Sequence, residues 1–235
     1  DEPASALLQK IRTEKDRLIA AGQIKCDKPL PPITDEEKPF ELPVGWEWVR
    51  LGALANFIDY RGKTPIKTPS GVPLITAKNV RRGFINRAPH EFIAESAYDG
   101  WMTRGFPKVG DLLFTTEAPL GNVAAIDIYE RFALAQRVIC FGLYELGMSG
   151  LLLTFLQSPW FQGVLEAQAS GVTAQGIKSS RLQLLPVPVP PLSEQSRIVT
   201  RVTALRRLCA DLRQRLAERE AVQARLAEAL VQEVA

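Results

Sequence analysis

A proline-rich segment followed by a long apolar repeat places the strongest limit on how the end of this chain folds. Residues 184–192, LLPVPVPPL, alternate proline with valine and leucine, so the backbone there must be extended. Ser193 follows where a helix N-cap is expected, and Glu194 lies in the first turn, where the helix dipole favours an acid. The segment is therefore predicted to be a spacer of fixed reach that leads into a long helix.

The helix predicted after Ser193 carries an apolar stripe at heptad spacing. Steps of four and three residues separate the apolar positions, which is the pattern of a coiled-coil seam. The seam consists of Ile198, Val202, Leu205, Cys209, Leu212 and Leu216. It is interrupted at Arg219 and Gln223 and resumes at Leu226 and Leu230. Because exposure of such an apolar stripe to water is unfavourable, we expect a partner helix to bury it.

The rest of the chain has a different pattern of apolar residues. Short apolar runs are punctuated by glycine, proline and asparagine, which predicts a β-rich domain with long loops. Two short helices are predicted around Ser158-Pro159. The predicted segments are an N-terminal helix at 1–22, a proline-rich linker or surface arm at 23–44, a β-rich domain at 45–190 and a long coiled-coil helix at 191–235. The fold class is therefore α/β of the α+β type.

The distribution of charge is more informative than its total. The net charge is +3, from 29 basic and 26 acidic residues, which alone does not favour nucleic acid. No acidic residue lies between Asp59 and Glu91, whereas seven basic residues do. Such a stretch is typical of phosphate binding. The alternative is a solvated surface whose neutralising acids come from elsewhere in the fold.

Residues for catalysis or metal binding are sparse. His90 is the only histidine, so a catalytic triad would depend on it alone and a zinc site would lack ligands. Glycine-rich phosphate loops and the Asn/Asp-Pro-Pro-aromatic sequence of amino-methyltransferases are missing. Asp111 and Glu117 remain as a candidate carboxylate pair, although Glu117 also suits a loop cap or a hydrogen bond from a base. We expect no catalysis, no cofactor and no metal in this chain.

The cysteines and apolar runs indicate a cytoplasmic protein. Cys26, Cys140 and Cys209 are widely separated and form no C-x-x-C pair, so we expect them to be reduced and mostly packed. The apolar runs are short or broken by proline, and no signal-peptide pattern is present. We therefore expect neither export nor insertion into a membrane.

Five motifs together resemble the specificity subunit of Type I restriction-modification systems. They are LPVGWEWVRLG at 42–52, YRGKTP at 60–65, GVPLITAKNVRRGFI at 71–85, GDLLFTTEAPLGNVA at 110–124 and LLPVPVPPLSEQSRIV at 184–199. Their order and spacing make the resemblance specific over nearly all of residues 42–235. Such a subunit has two target-recognition domains and two long helices, whereas this chain has one set. The resemblance implies either a fragment of a longer subunit or a half-subunit that pairs with a second copy.

The resemblance also implies a function and partners. Residues 45–190 would be a target-recognition domain that reads double-stranded DNA as one half of a split target. Methyltransferase subunits, which use S-adenosylmethionine, and an ATP-dependent restriction and translocase subunit would carry the reactions. Two other hypotheses stay open. One is a coiled-coil scaffold for protein partners with an incidental basic surface, and the other is an enzyme that uses Asp111, Glu117 or His90.

Four loop regions carry the residue types that contact DNA. Lysine and arginine suit phosphates, whereas Arg, Asn, Gln, Thr and Glu suit base edges. The predicted DNA-binding residues are Arg61, Lys63, Thr64, Lys78, Asn79, Arg81, Arg82, Thr116, Glu117, Asn122, Gln136, Arg137, Gln175 and Lys178. Asn79 is also predicted to make paired hydrogen bonds to adenine if it reaches the major groove.

Overall fold

The protein is represented by a computed structural model, which describes residues 2–60, 64–171 and 175–234. It has two compact units, Asp1–Gln195 and Ser196–Ala235. The helices are α1 Ala4–Ala20, α2 Tyr98–Trp101, α3 Ser149–Leu156, α4 Pro159–Gln168, α5 Ser179–Leu182 and α6 Leu192–Val234. The strands are β1 Glu47–Arg50, β2 Ala55–Asp59, β3 Lys67–Thr68, β4 Val72–Ile75, β5 Phe92–Ile93, β6 Leu112–Thr116, β7 Leu120–Ala125, β8 Ala133–Leu134, β9 Val138–Leu143 and β10 Pro186–Val189. The α+β class, with a short first helix and a long last one, is confirmed.

A central antiparallel sheet, in the order β2-β9-β6-β7, is buried on both faces. Side chains alternate across it, because successive residues of a strand point to opposite faces. Leu112 and Phe114 lie in an apolar cluster with α1, α3 and α4, whereas Leu113 lies in a second cluster with the other large sheet. Burial on both faces explains why the strands read as continuous apolar runs.

The other four-stranded sheet has the order β3-β5-β4-β8 and covers the second face. Its β4 and β8 are parallel, with Leu74 opposite Ala133 and Ile75 opposite Leu134. Parallel strands end at the same edge of a sheet. The segments that follow them, 76–79 and 135–137, therefore leave side by side.

The proline segment is extended as predicted, but it is a paired strand of the domain and not a spacer. Pro186–Val189 is extended, but it pairs antiparallel with Glu47–Arg50 and all four of its residues are buried. A two-stranded sheet tolerates proline because each strand has one side without ladder hydrogen bonds. Helix α6 then begins at Leu192, so Ser193 lies inside the first turn and is not the N-cap. The carbonyl of Pro191 accepts from the backbone N–H groups of residues 194 and 195 at 3.0 Å.

Residues 23–44 form an arm that is tied to the domain by Arg50. The Arg50 side chain is buried and donates to the carbonyl oxygens of Pro31, at 3.1 Å, and Pro32, at 2.7 Å. It also makes a bidentate pair with Glu37, at 2.6 and 2.7 Å. Hydrogen bonds from Arg50 lower the pKa of Glu37 to about 2. The surface-arm interpretation therefore fits this segment better than a loose linker.

Helix α6, taken by itself, exposes a row of apolar side chains. Ile198 and Val202 are half-buried. The residues that are 45% to 59% exposed are Leu205, Leu208, Leu212, Leu216, Val222 and Leu226. Helix length and stripe agree with the sequence-based prediction. The expectation that the cysteines are mostly packed was wrong, because only Cys140 is buried while Cys26 and Cys209 are exposed. Among the residues described, no helix has the length and apolar character needed to cross a membrane.

Candidate nucleic-acid interface

The loops that carry most of the predicted contacts leave both large sheets at one end. Strands β2 and β6 end there, and β7 and β9 begin there, since all four are antiparallel neighbours. The parallel strands β4 and β8 also end there, because the segments that follow them line one cavity together with the loop that follows β6. We call this end the loop edge and define it as residues 76–79, 117–119, 135–137 and 175–178.

The loop that precedes α5 is joined to this edge by the backbone. Glu117 and Gly176 form an isolated antiparallel bridge. The N–H of Ile177 donates to the carbonyl of Thr116 at 3.0 Å. Residues 175–178, which are far from β6 in sequence, therefore lie against its end. Gln175 and Lys178 are both exposed there.

A small cavity of about 140 Å³ lies between the loops. Its lining includes three predicted residues from two separate segments, namely Lys78, Gln136 and Arg137. It also includes Lys67 and Thr76, which were not predicted as contacts, and the acid Glu91. Lys67 was visible as part of the acid-free basic stretch, whereas no sequence signal marks Thr76. The cavity thus gathers cations and an amide, the groups that bind phosphates and base edges.

Arg137 is held in an unusual backbone conformation at this edge. Its φ is +74°, in the left-handed region that non-glycine residues rarely adopt. Its carbonyl accepts from the N–H of Thr116 at 3.0 Å, and its guanidinium lies 2.8 Å from the carboxylate of Glu117. The Arg137 side chain is still 52% exposed. Strained residues of this kind concentrate at functional sites.

Asn79 does not read bases as predicted, because its side chain is buried and fully engaged. Its Oδ1 accepts from the N–H and the hydroxyl of Thr76, at 3.0 and 2.8 Å. Its Nδ2 donates to the carbonyl oxygens of Asn86 and Pro89, both at 3.0 Å. No donor or acceptor is left for adenine. Asn79 instead fixes the shape of the loop that displays Lys78.

Three other predicted contacts are less available than the sequence indicates. Thr116 is buried at the end of β6, and its hydroxyl has no hydrogen-bond partner within the described residues. The amide Nδ2 of Asn122 donates to the carbonyl of Val80 at 3.0 Å, which joins β7 to the segment after β4. Arg82 is exposed, but its guanidinium donates to the carbonyl of Gln157 at 2.6 Å. Short polar side chains at strand ends can satisfy backbone groups equally well, so sequence alone does not separate these roles.

The remaining predicted residues are accessible where the structure describes them. Thr64, Lys78 and Arg81 are exposed. Arg61 and Lys63 lie outside the described residues. The acid-free stretch is partly neutralised from elsewhere, as the alternative interpretation expected. Lys67 pairs with Glu91 at 2.7 Å, and the side chains of Arg87 and Asp127 are 3.1 Å apart.

The candidate catalytic residues do not come together. Asp111 precedes β6 and Glu117 follows it, so extended backbone separates them by about 20 Å. Burial raises the pKa of Asp111, whose carboxylate accepts from the N–H groups of Lys108 and Leu143, at 2.8 and 3.0 Å. His90 is exposed. Asp111 therefore ties the loop at Lys108 to the end of β9, and it forms no carboxylate pair with Glu117.

Comparison with known protein families agrees with this architecture. A family model described as "Type I restriction modification DNA specificity domain" matches residues 43–219, most of the chain. The chain belongs to the Type I restriction-modification DNA specificity domain family. The matched range covers both large sheets and the first part of α6.

Two relatives of this specificity domain are proteins of Escherichia coli. It is 34% identical over 245 residues to the Type I restriction enzyme EcoAI specificity subunit. It is 29% identical over 248 residues to the Type I restriction enzyme EcoEI specificity subunit. Each alignment covers 98% of this chain and 40% of the relative. The chain therefore spans about two fifths of the length of the curated relatives it matches.

Solved structures share the fold of this specificity domain. One comes from a study of complex assembly and conformational transition of the type I R-M system, with a TM-score of 0.57 at 22% identity, covering 94% of this chain and 54% of that one. The other is the HsdS subunit from Thermoanaerobacter tengcongensis, with a TM-score of 0.51 at 23% identity, covering 89% of this chain and 50% of that one.

Proposed function

We propose that this chain reads one part of a double-stranded DNA target, as the target-recognition half of a Type I specificity subunit. The observation that carries the proposal is the convergence of Lys78, Gln136 and Arg137 on one cavity at the loop edge of a DNA specificity domain. Lys78 lies almost 60 positions before the other two in sequence. The parallel pairing of β4 and β8, in the sheet that packs on the central one, brings the two segments together, which suits a surface that must match a fixed DNA geometry.

The chemistry of the loop edge divides into two kinds of contact. Lys78 and Lys178 at the loop edge, and Arg81 beyond it, are exposed cations that would neutralise phosphates and set the register on the duplex. Gln136 can make a bidentate pair with adenine in the major groove. Arg137 is suited to guanine and Glu117 to the amino group of cytosine, so their mutual ion pair would be exchanged for contacts with bases.

We also propose that the chain is non-catalytic and holds no cofactor. In this proposal methyltransferase subunits supply S-adenosylmethionine chemistry, and a restriction and translocase subunit supplies ATP-driven cleavage. The separation of Asp111 from Glu117 by the length of β6 supports the proposal, because neither carboxylate has the other for metal or acid-base work. In this proposal the reactions act on double-stranded DNA, and the protein works in the cytoplasm.

The long helix would join this half to a second one. Its exposed leucines need a partner helix, and its charge is unevenly distributed. Residues 196–215 contain six arginines and a single acid, Asp211, whereas residues 216–234 contain four glutamates and two arginines. Antiparallel pairing of two such helices sets the basic half against the acidic half, while parallel pairing sets like charges together. A twofold antiparallel arrangement would present two recognition domains to the two parts of a split target.

The scaffold hypothesis is the second candidate. It is favoured by the neutralisation of Lys67 and Arg87 by acids outside the basic stretch. Under that hypothesis the long helix would bind proteins and the basic surface would be incidental.

The two candidates differ in how binding to duplex DNA responds to salt. Phosphate neutralisation makes log K fall linearly with log salt, by about 0.9 for each neutralised phosphate. The test compares the unmodified chain with Lys78→Ala and with Lys38→Ala, a control in the arm whose lysine pairs with Asp35 at 2.6 Å. DNA recognition predicts a steep slope that Lys78→Ala reduces by about one and Lys38→Ala leaves unchanged. A slope near zero would favour the scaffold.

A further inference from the structure

A short hairpin after β4 is anchored in the core and closed by a tight turn. Val80 and Ile85 form an antiparallel bridge and are both buried in the second apolar cluster. Between them the N–H of Arg81 donates to the carbonyl of Phe84 at 2.9 Å. The four residues of the tip, Arg81, Arg82, Gly83 and Phe84, are all exposed.

The tip is also fixed from the side. The N–H of Gly83 donates to the carbonyl of Val123 in β7 at 2.8 Å. Arg82 donates to the carbonyl of Gln157, the residue that follows α3. Gly83 has a φ of +96°, and a Cβ there would lie 3.1 Å from the amide nitrogen of Gln157. The tip is therefore held against the edge of the central sheet.

This fixed tip displays an aromatic ring that the fold does not use. Phe84 is 58% exposed and belongs to neither apolar cluster of the described residues. Its neighbour Arg81 is exposed, and within the described part of the chain no acid or carbonyl holds its guanidinium. A rigid aromatic beside a free cation is a combination that suits nucleic acid, because bases stack on rings and phosphates pair with arginine.

The hairpin lies within reach of DNA at the loop edge. Val123, which holds Gly83, is three residues beyond Leu120, where β7 begins at the loop edge. Three residues of strand span about 10 Å, which is less than the width of a major groove at about 12 Å. A duplex bound at the loop edge would therefore extend over the tip.

We propose that Phe84 is a wedge that enters the base stack of the bound duplex, while Arg81 neutralises the adjacent phosphate. Inserted apolar side chains of this kind unstack a base step and bend the duplex. Phe84 would thus add affinity and a DNA bend that depend on the deformability of the step, without a hydrogen bond to any base. This inference rests on the proposed DNA-recognition function.

The test uses the whole chain and a duplex enriched from a randomised pool by binding to it. The enriched duplex carries donor and acceptor dyes at its two ends, so that bending changes the energy transfer between them. The variants are Phe84→Ala, Phe84→Leu and Arg81→Ala, and the control is Phe106→Ala. Phe106 is 56% exposed, and its neighbour Gly105 lies against Ile58 of β2 at the other edge of the central sheet.

A wedge predicts a distinct result for each variant. Phe84→Ala should lower affinity about tenfold and abolish the bend, with an unchanged salt slope because no cation is lost. Phe84→Leu should keep the bend, since leucine also serves as a wedge. Arg81→Ala should keep the bend and reduce the salt slope by about one. Phe106→Ala should behave as the unmodified protein.

Failure of the DNA-recognition proposal and failure of the wedge proposal give different results. If no duplex is enriched from the pool, the proposed DNA recognition itself is wrong. If a duplex is enriched but Phe84→Ala binds and bends it as the unmodified protein does, the recognition stands and the wedge is overturned. Equal loss of affinity in Phe84→Ala and Phe106→Ala would also overturn it, because the effect would then be one of general surface hydrophobicity.

Discussion

The guanidinium of Arg137 lies 2.8 Å from the carboxylate of Glu117, across the end of the central sheet. Both residues belong to the loop edge, and once they separate Arg137 can pair with a base or a phosphate and Glu117 can accept from the amino group of a base. An exposed ion pair contributes at most about 1 kcal/mol to stability, so its exchange for DNA contacts costs little. The pair therefore keeps the cation in position without holding it tightly.

The backbone of Arg137 allows strain and function to be separated. Arg137→Gly and Arg137→Ala remove the same guanidinium, but only glycine adopts a φ of +74° without cost. We expect both variants to lose DNA affinity equally, while the glycine variant unfolds with a free energy about 1 kcal/mol above that of the alanine variant. Urea denaturation and fluorescence anisotropy measure the two quantities. An alanine variant as stable as the glycine variant would show that the conformation carries no strain.

Asn79 and its neighbour Lys78 should respond to substitution in opposite ways. Asn79→Ala leaves buried backbone partners unsatisfied, so we expect a loss of about 2–4 kcal/mol in the free energy of unfolding. Lys78→Ala, at an exposed position, should change stability by less than about 0.5 kcal/mol and weaken DNA binding. Chemical denaturation of both variants checks the prediction. Retained stability in Asn79→Ala would mean that its four hydrogen bonds do not shape the loop.

The contact between Glu37 and Arg50 should make the arm sensitive to acid. The pKa of Glu37 is lowered from 4.5 to about 2 in the folded chain, so its contribution to stability is present above pH 4.5 and is lost as the pH falls towards 2. Glu37→Gln should therefore be less stable than the unmodified chain at pH 6, and the difference should vanish near pH 2. Because the side chain is 39% exposed, solvent screening makes the effect modest.

Denaturation at several pH values measures this difference. Glu41→Gln, an exposed acid of the same arm, is the matched control. A difference between Glu37→Gln and the unmodified chain that stays constant from pH 6 to pH 2 would contradict the assignment.

The apolar stripe of α6 should decide the assembly state. Replacing Leu205 and Leu212 with Asp places charges in the predicted seam and should give monomers while the domain at 45–190 stays folded. If the chain is a half-subunit, light scattering of the unmodified protein at micromolar concentration should report a dimer. A monomer under those conditions would count against self-pairing. As a control, Arg213→Ala removes a charge outside the seam and should leave the assembly unchanged.

The local features of this fold were predictable, because each depends on neighbouring residues. The heptad spacing after Ser193 predicts the long helix, and Ser158-Pro159 predicts the break between α3 and α4. The alternation of proline and valine gave the extended backbone of residues 186–189. Its partner β1 lies about 140 residues away, and no pattern in either segment specifies that pairing.

The composition of the site was less predictable, because burial depends on distant packing. Lys78 and Asn79 are adjacent and both suit DNA, yet one is exposed and the other almost fully buried. The loop with Gln175 reaches the site only through the bridge between Glu117 and Gly176. Phe84 lies in a motif of the resemblance but carries no sequence signal for a contact, since an exposed phenylalanine is recognised only once the core around it is known.

Sequencing the duplexes that the whole chain retains from a randomised pool tests the central claim most directly. If the loop edge reads DNA, the retained duplexes should share a defined sequence motif. At the base pair that Gln136 contacts, Gln136→Ala should lower the discrimination between the preferred base and the others by about 1–3 kcal/mol. A retained pool with the same base composition as the input at every position would contradict sequence recognition by this domain.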